Sequence, residues 1–205
     1  MKNQINTFSQ LNKKQKLQYI LDYYKIHIIV TAAIICILFS IIRTVQKNHD
    51  IDLYVAYVNI AADDSLLESI DDATCLNISN YTNLLITEDP ASDNLEYAYA
   101  SSIKLMSAIS AGKLDIIVAD SYGIKMAENA GYLTNPKDYL ESKNPALANL
   151  LENYFIEDES HIPYAIDLSY SNLFVQAGFS EPIYIGIVAS DEVSPEVSDY
   201  LLSIN

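Results

Sequence analysis

Seven polar residues end or follow three predicted strands, and together they have the chemistry of a site for a small polar molecule. One of them follows the first strand, three follow the third strand, and three follow a strand in the last third of the chain. In an open α/β sheet, ligands bind beyond the carboxyl ends of the strands. Tyrosine rings stack on sugars, and carboxylate and amide groups supply directional hydrogen bonds, so this set favours a sugar or another small polar solute. The candidate ligand-binding residues are Asn59, Asp120, Ser121, Tyr122, Asp167, Ser169 and Tyr170.

Asp120 and Ser121 also have a purely structural interpretation. They stand between a predicted strand and a predicted helix. At such a junction, Asp and Ser side chains commonly accept hydrogen bonds from the free N–H groups of the first helical turn. Both interpretations, ligand contact and helix cap, stay open at the level of sequence.

The chain carries no pattern typical of an enzyme. Neither G-x-S-x-G nor G-x-x-x-x-G-K-[ST] occurs, and there are only five glycines among the 205 residues. The three histidines, His27, His49 and His161, are scattered, which does not favour a metal centre. We therefore expect no catalysis, no cofactor and no metal.

The elements that must position these residues alternate between strand and helix. This pattern predicts right-handed crossovers and one largely parallel sheet that is covered by helices on both faces. The fold class expected is therefore α/β. Strands are predicted at 52–59, 81–87, 114–120, 164–167 and 183–189, and helices at 63–72, 93–110 (capped by Asp93), 121–129 and 195–202, with a helical and polar section at 136–160.

An uncharged apolar run, residues 26–42, predicts a single transmembrane helix. It reads IHIIVTAAIICILFSII between Lys25 and Arg43, and roughly 17–25 such residues cross a bilayer. No small-x-small cleavage site follows it, so we expect an uncleaved anchor rather than a signal peptide. The lipid bilayer is accordingly the first expected partner.

Charge predicts the orientation of this helix. Residues 1–47 hold seven Lys and Arg against one acid, whereas residues 48–205 hold five lysines against 26 acids. Five of the seven N-terminal cations precede the run, which places the N-terminus in the cytoplasm. The acidic remainder repels nucleic acid, so no nucleic-acid partner is expected.

These patterns divide the chain into four parts. They are a basic cytoplasmic juxtamembrane segment (1–25), the transmembrane helix (26–42), a stalk (43–51) and an extracytoplasmic α/β domain (52–205). A helical stripe in the first segment, Leu17, Ile20, Leu21 and Tyr24, suits either an interfacial helix or a docking helix for a cytoplasmic partner.

Three stretches resemble bacterial extracellular solute-binding proteins of ABC importers, the type II periplasmic-binding-protein-like family. Residues 107–120, SAISAGKLDIIVAD, are similar to the family's helix that ends in AG and its third strand. Residues 163–168, PYAIDL, and 181–189, EPIYIGIVA, look like two later strands of that family. The resemblance implies a sheet in the order 2-1-3 with an antiparallel strand added.

The chain also departs from that family. Its members usually have two lobes and about twice this length, and they trap a solute by closing around it. The resemblance therefore implies one reduced, membrane-anchored lobe and does not imply intact solute capture.

Two functions follow as hypotheses. In the first, a single-pass protein of the bacterial cell envelope presents a solute-binding-like domain that binds or senses a small molecule. In the second, the domain has no ligand and docks another envelope protein or a permease. A pocket lined by Asn59, Asp120, Tyr122 and Asp167 favours the first, and a filled cleft beside an exposed apolar face favours the second.

The membrane helix can be tested by cell fractionation. Because residues 26–42 would be held in hydrocarbon, we expect the full-length chain in the membrane fraction, released by detergent and not by high salt. Recovery of the intact chain in the soluble fraction without detergent would show this prediction to be wrong.

Overall fold

The computed structural model of the chain describes residues 12, 26–27, 29–43, 51–87, 89, 94–191 and 193–204. The chain divides into two compact units, Met1–Asp50 and Ile51–Asn205. Most of the predicted tail and of the predicted stalk, and the predicted cap Asp93, lie outside the described residues.

In the first unit, residues 26–27 and 29–43 are helical and exposed. Over the described parts of the chain, no helix combines the length and the apolar character that crossing a membrane requires.

The second unit consists of strands and helices in the alternation that the sequence predicts. Its strands are β1 (Leu53–Val58), β2 (Ile78–Leu84), β3 (Ile116–Ala119), β4 (Phe155–Glu157), β5 (Pro163–Asp167) and β6 (Tyr184–Ile187). Its α-helices are α1 (Asp64–Thr74), α2 (Leu95–Ser110), α3 (Ser121–Asn129), α4 (Pro136–Lys143), α5 (Pro145–Leu150), α6 (Asn172–Gln176) and α7 (Glu196–Ser203). Two short 3₁₀ helices, Glu152–Tyr154 and Leu168–Tyr170, precede β4 and follow β5.

All six strands form one sheet in the order β2-β1-β3-β6-β5-β4. β1 is parallel to β2 and β3, whereas β6 is antiparallel to both β3 and β5, and β4 is antiparallel to β5. Four strands, β1, β2, β3 and β5, therefore run in the same direction. The mostly parallel α/β sheet flanked by helices is confirmed, and its first half has the expected order 2-1-3.

The central strands are buried on both faces, which explains their continuous apolar sequences. Alternate residues of β1 point to opposite faces: Leu53, Val55 and Tyr57 enter one core, and Ala56 and Val58 enter the other. Helices α1, α4, α5, α6 and α7 contribute to the first core, and α2 and α3 contribute to the second.

Two predicted elements differ from the structure. The section 136–160 is not helical throughout, because Phe155 and Ile156 pair with Ile166 and Ala165 to form the β4–β5 ladder. The second strand is Ile78–Leu84 rather than 81–87, because Ile78 pairs with Leu53 and packs against the first core. A three-residue strand is too short to show a period, and a distant pairing partner leaves no local signal.

Two leucines of α5 give a matched test of this core. Leu147 is 2% exposed and Leu150 is 52% exposed. We expect Leu147→Ala to lower the free energy of unfolding by about 2–5 kcal/mol, because it leaves a cavity. The control Leu150→Ala removes the same atoms from the surface and should cost less than about 0.5 kcal/mol. Urea denaturation measures both, and equal costs would contradict this packing.

Candidate functional site

The structure brings Asn59 and Asp120 together at one edge of the sheet. β1 and β3 are parallel neighbours with Val58 opposite Ala119, so the residues that follow them are adjacent. Asn59 Nδ2 donates a hydrogen bond to Asp120 Oδ1 at 3.2 Å. We call this edge, where β1, β3 and β5 end and β6 begins, the carboxyl edge.

Both side chains hold the backbone at the carboxyl edge. The backbone of Asn59 lies in the left-handed region, with a φ of 60°. Its Oδ1 accepts a hydrogen bond from the Ile86 N–H at 2.7 Å. Asp120 is the N-cap of α3, because its Oδ1 accepts a hydrogen bond from the Gly123 N–H at 2.7 Å. The capping interpretation of Asp120 is therefore confirmed. Its second oxygen, Oδ2, accepts no hydrogen bond from the described residues.

The cap needs a small residue at position 123. A Cβ on Gly123 would lie 3.0 Å from Ala119 Cβ and 3.1 Å from Asp120 Oδ1. Glycine thus lets the first turn of α3 approach the end of β3, which fixes the Asp120 carboxylate.

A cavity of about 420 Å³ opens beside this pair, and we call it the first cavity. Asn59 and Asp120 form one side of it, and the loop between α6 and β6 forms the other side. Two of its groups are carboxylates, Asp120 and Glu181, and none of its residues is a Lys or Arg. Its lining is Asn59, Ile60, Ala61, Asp120, Phe179, Ser180, Glu181 and Ile183.

Asp167 and Ser169 line a neighbouring second cavity of about 370 Å³. Asp167 caps the 3₁₀ helix that follows β5, since its Oδ1 accepts a hydrogen bond from the Ser169 N–H at 2.7 Å. Phe179 and Glu181 line both cavities, so the loop between α6 and β6 borders both of them. Phe179 also lines a third cavity, of about 320 Å³, between α1 and α6.

Three of the predicted residues line neither the first nor the second cavity. Ser121 is exposed in the first turn of α3, and Tyr122 is half-buried in the same turn. The Tyr170 hydroxyl donates to the Leu201 carbonyl oxygen at 3.3 Å, and its ring contacts Tyr154 with centroids 5.5 Å apart. Burial raises the pKa of the Tyr170 phenol well above its usual value. Tyr170 packs against the first core, and the aromatic residues that line the first and second cavities are Phe179 and, in the second, also Phe174.

The prediction from sequence did not include Phe179, Ser180 and Glu181, because it selected residues that follow a strand and these three precede one. The rule of carboxyl ends applies to strands that run in the direction of β1 and β3. β6 is antiparallel to β3, so its start lies where β1 and β3 end. The expectation of an added antiparallel strand was the one signal that could have identified this loop.

Among the described residues, no group of three or more His, Cys, Asp or Glu side chains is placed to hold a metal ion. No family model, no curated protein and no solved structure matches the chain.

Two substitutions separate the capping role of Asp120 from its charge. Asp120→Ala removes the acceptor for the Gly123 N–H, so we expect the free energy of unfolding to fall by about 0.5–2 kcal/mol. The control Asp120→Asn keeps an acceptor oxygen and should stay near the parent, because Asn caps helices as well as Asp does. Chemical denaturation measures both, and an unchanged Asp120→Ala variant would contradict the capping role.

Proposed function

We propose that this is a single-pass membrane protein of the bacterial cell envelope whose extracytoplasmic α/β domain binds or senses a small polar solute at the carboxyl edge. The first cavity is the observation that carries this proposal. Its volume of about 420 Å³ falls in the range of small-molecule sites, about 300–1,000 Å³.

The lining of this cavity defines which solutes fit it. The Asn59 amide and the Ser180 hydroxyl are neutral, and the two charged groups are Asp120 and Glu181. Such a lining favours neutral and cationic solutes and repels anions, because no lining cation would offset their charge. The Phe179 ring in the lining suits an apolar part of such a solute.

The membrane part of the proposal is supported by the sequence. Residues 26–42 carry no charge, five cations precede them, and the described residues of this run are helical. A helix there would hold the acidic domain outside the cytoplasm.

The resemblance to solute-binding proteins adds the remaining support. The order β2-β1-β3 and the antiparallel β6 agree with what that resemblance implies. In this proposal the domain is a single lobe, so the cavity stays open to solvent and the bound solute is partly hydrated.

A second candidate function is an interaction domain that docks another envelope protein or a permease. It is favoured by an apolar stripe on the outer face of α2. Its residues are Leu95, Tyr99, Ile103 and Met106, which are 45–71% exposed. They recur at helical spacing on a face separate from the buried face of α2.

A solute screen with a blocked cavity distinguishes the two candidates. We expect neutral sugars, free amino acids or short peptides to raise the melting temperature of the detergent-solubilised full-length chain, since a ligand at 100 times its Kd stabilises by about 2.7 kcal/mol. Ala61→Trp should abolish the shift, because exposed Ala61 lines the first cavity.

Ala146→Trp is the matched control, because Ala146 is an exposed alanine of α5 that lines none of the three cavities. It should leave the shift unchanged. No shift with any solute at millimolar concentration would count against the first candidate, and so would a shift that Ala61→Trp leaves intact.

A further inference from the structure

The apolar stripe of α2 is exposed although the helix itself is packed on the sheet. Leu105 and Ala108, on another face of the helix, are buried in the second core. Tyr99, in the stripe, is 71% exposed, and Met106 is 52% exposed. A row of large apolar side chains on one outer face marks a surface that contacts a membrane or another protein.

The same helix is the least acidic part of an acidic domain. Residues 48–205 hold 26 acids and five lysines. Within them, residues 97–114 are the longest stretch without an Asp or Glu, and this stretch contains Lys104 and Lys113. Anionic lipid headgroups therefore attract this helix, whereas they repel the acidic remainder of the domain.

Lys104 and Tyr97 lie beside the stripe and next to the edge strand β2. Lys104 Nζ is 5.5 Å from the centre of the Tyr81 ring, and the Tyr97 hydroxyl donates a hydrogen bond to the Asn83 carbonyl oxygen. Tyrosine and lysine next to an apolar helical face are typical of helices that lie in a membrane interface. There the tyrosine ring lies at headgroup depth, and the lysine ammonium group reaches the phosphates.

The chain enters the domain next to the end of α2. The Asp115 N–H donates a hydrogen bond to the Tyr54 carbonyl oxygen at 3.0 Å, and the Tyr54 N–H donates one to Asp115 Oδ2 at 2.8 Å. The loop that follows α2 therefore lies beside the start of β1. The predicted stalk, residues 43–51, spans at most about 32 Å even when fully extended. A bilayer crossed by residues 26–42 would thus stay close to the domain, so that even weak contacts with lipid would be populated.

The form of the stripe favours lipid over a protein partner. It is a single row of side chains along one helix, which is narrow for a stable protein–protein interface. Two copies of this acidic domain would also repel each other. A helix in a membrane interface needs only one apolar face, because it sinks about 5–10 Å into the boundary between headgroups and acyl chains.

We propose that α2 docks on the surface of an anionic lipid bilayer, with Tyr99, Ile103 and Met106 at the top of the acyl chains and Lys104 and Lys113 at the headgroups. This inference rests on the membrane part of the proposed function, because the predicted helix 26–42 supplies the nearby bilayer. It assigns the apolar stripe to lipid instead of to a protein partner.

The test uses an introduced tryptophan, because the chain contains none. Full-length Tyr99→Trp is reconstituted into vesicles of phosphatidylcholine and phosphatidylglycerol, with and without bromine near the top of the acyl chains. Bromine quenches tryptophan on contact. We expect brominated vesicles to lower the emission about twofold or more, because docking places side chain 99 at the boundary between headgroups and acyl chains.

Leu150→Trp is the matched control for this reporter. Leu150 is 52% exposed on α5, which packs on the other face of the sheet. Its emission should be the same in both kinds of vesicle. Equal quenching at both positions would overturn the proposal, because it would show contact with lipid that does not depend on α2.

Two double variants of the Tyr99→Trp chain test whether the stripe makes the contact. I103D/M106D places two charges in the stripe and should abolish the quenching. L150D/L202D adds the same charge on α5 and α7, on the other face of the sheet, and should leave the quenching intact. All four replaced side chains are 48–52% exposed. Equal loss in both variants would overturn the proposal, because added negative charge alone would then explain it.

Flotation of the vesicles after an alkaline wash, which strips peripheral proteins, separates this inference from the proposed function. If the chain floats and bromine does not quench Tyr99→Trp, the docking proposal is wrong and the membrane anchor stands. A blue-shifted but unquenched emission would also overturn docking, because protein would then cover the stripe. If bromine quenches but the wash strips the chain, docking stands and the anchor is wrong. If neither is observed, both are wrong.

Discussion

The parallel pairing of β1 with β3 is the constraint on which the rest of this domain depends. Both strands are buried on both faces, and the ladder sets Val58 opposite Ala119. Side chains of β1 alternate between two separate cores, so a slip of one residue would exchange the two sets. The same register places Asn59 beside Asp120, and the hydrogen bond between them is thus a consequence of core packing.

At the carboxyl edge, some side chains that the sequence predicts to contact a ligand also stabilise the fold. One oxygen of Asp120, Oδ1, accepts hydrogen bonds from the Gly123 N–H and from the Asn59 side chain. One oxygen of Asp167, also Oδ1, accepts a hydrogen bond from the Ser169 N–H. A carboxylate has two oxygens and about four acceptor positions, so a helix cap does not exclude a ligand contact. Helix cap and ligand contact were alternatives for Asp120 in the sequence. The structure shows the cap, which uses Oδ1, and Oδ2 accepts no hydrogen bond from the described residues.

Local signals predicted the elements that local sequence determines. β1 and β3 were predictable because their apolar runs are continuous, and the start of α3 was predictable because Asp120 marks the junction between β3 and this helix. β4 and the bounds of β2 were not predictable from local sequence. In β4, Phe155 pairs with the distant Ile166, and in β2, Ile78 pairs with the distant Leu53. For the site, sequence order placed Asn59 and Asp120 correctly at one edge. It could not show that Tyr170 turns inward to Leu201, since neighbouring residues after a strand point in different directions.

The exposure of the carboxyl edge to solvent also determines how strongly each contact with a solute could contribute to binding there. The three cavities lie around one loop at the surface of a single sheet, so a solute bound there would keep part of its water. Apolar burial then contributes little, and exposed charge pairs are each worth at most about 1 kcal/mol. Appreciable affinity therefore requires several weak contacts made at once by one ligand. Carboxylates that are already fixed by helix caps suit this requirement, because ordering them costs no further entropy when the ligand arrives.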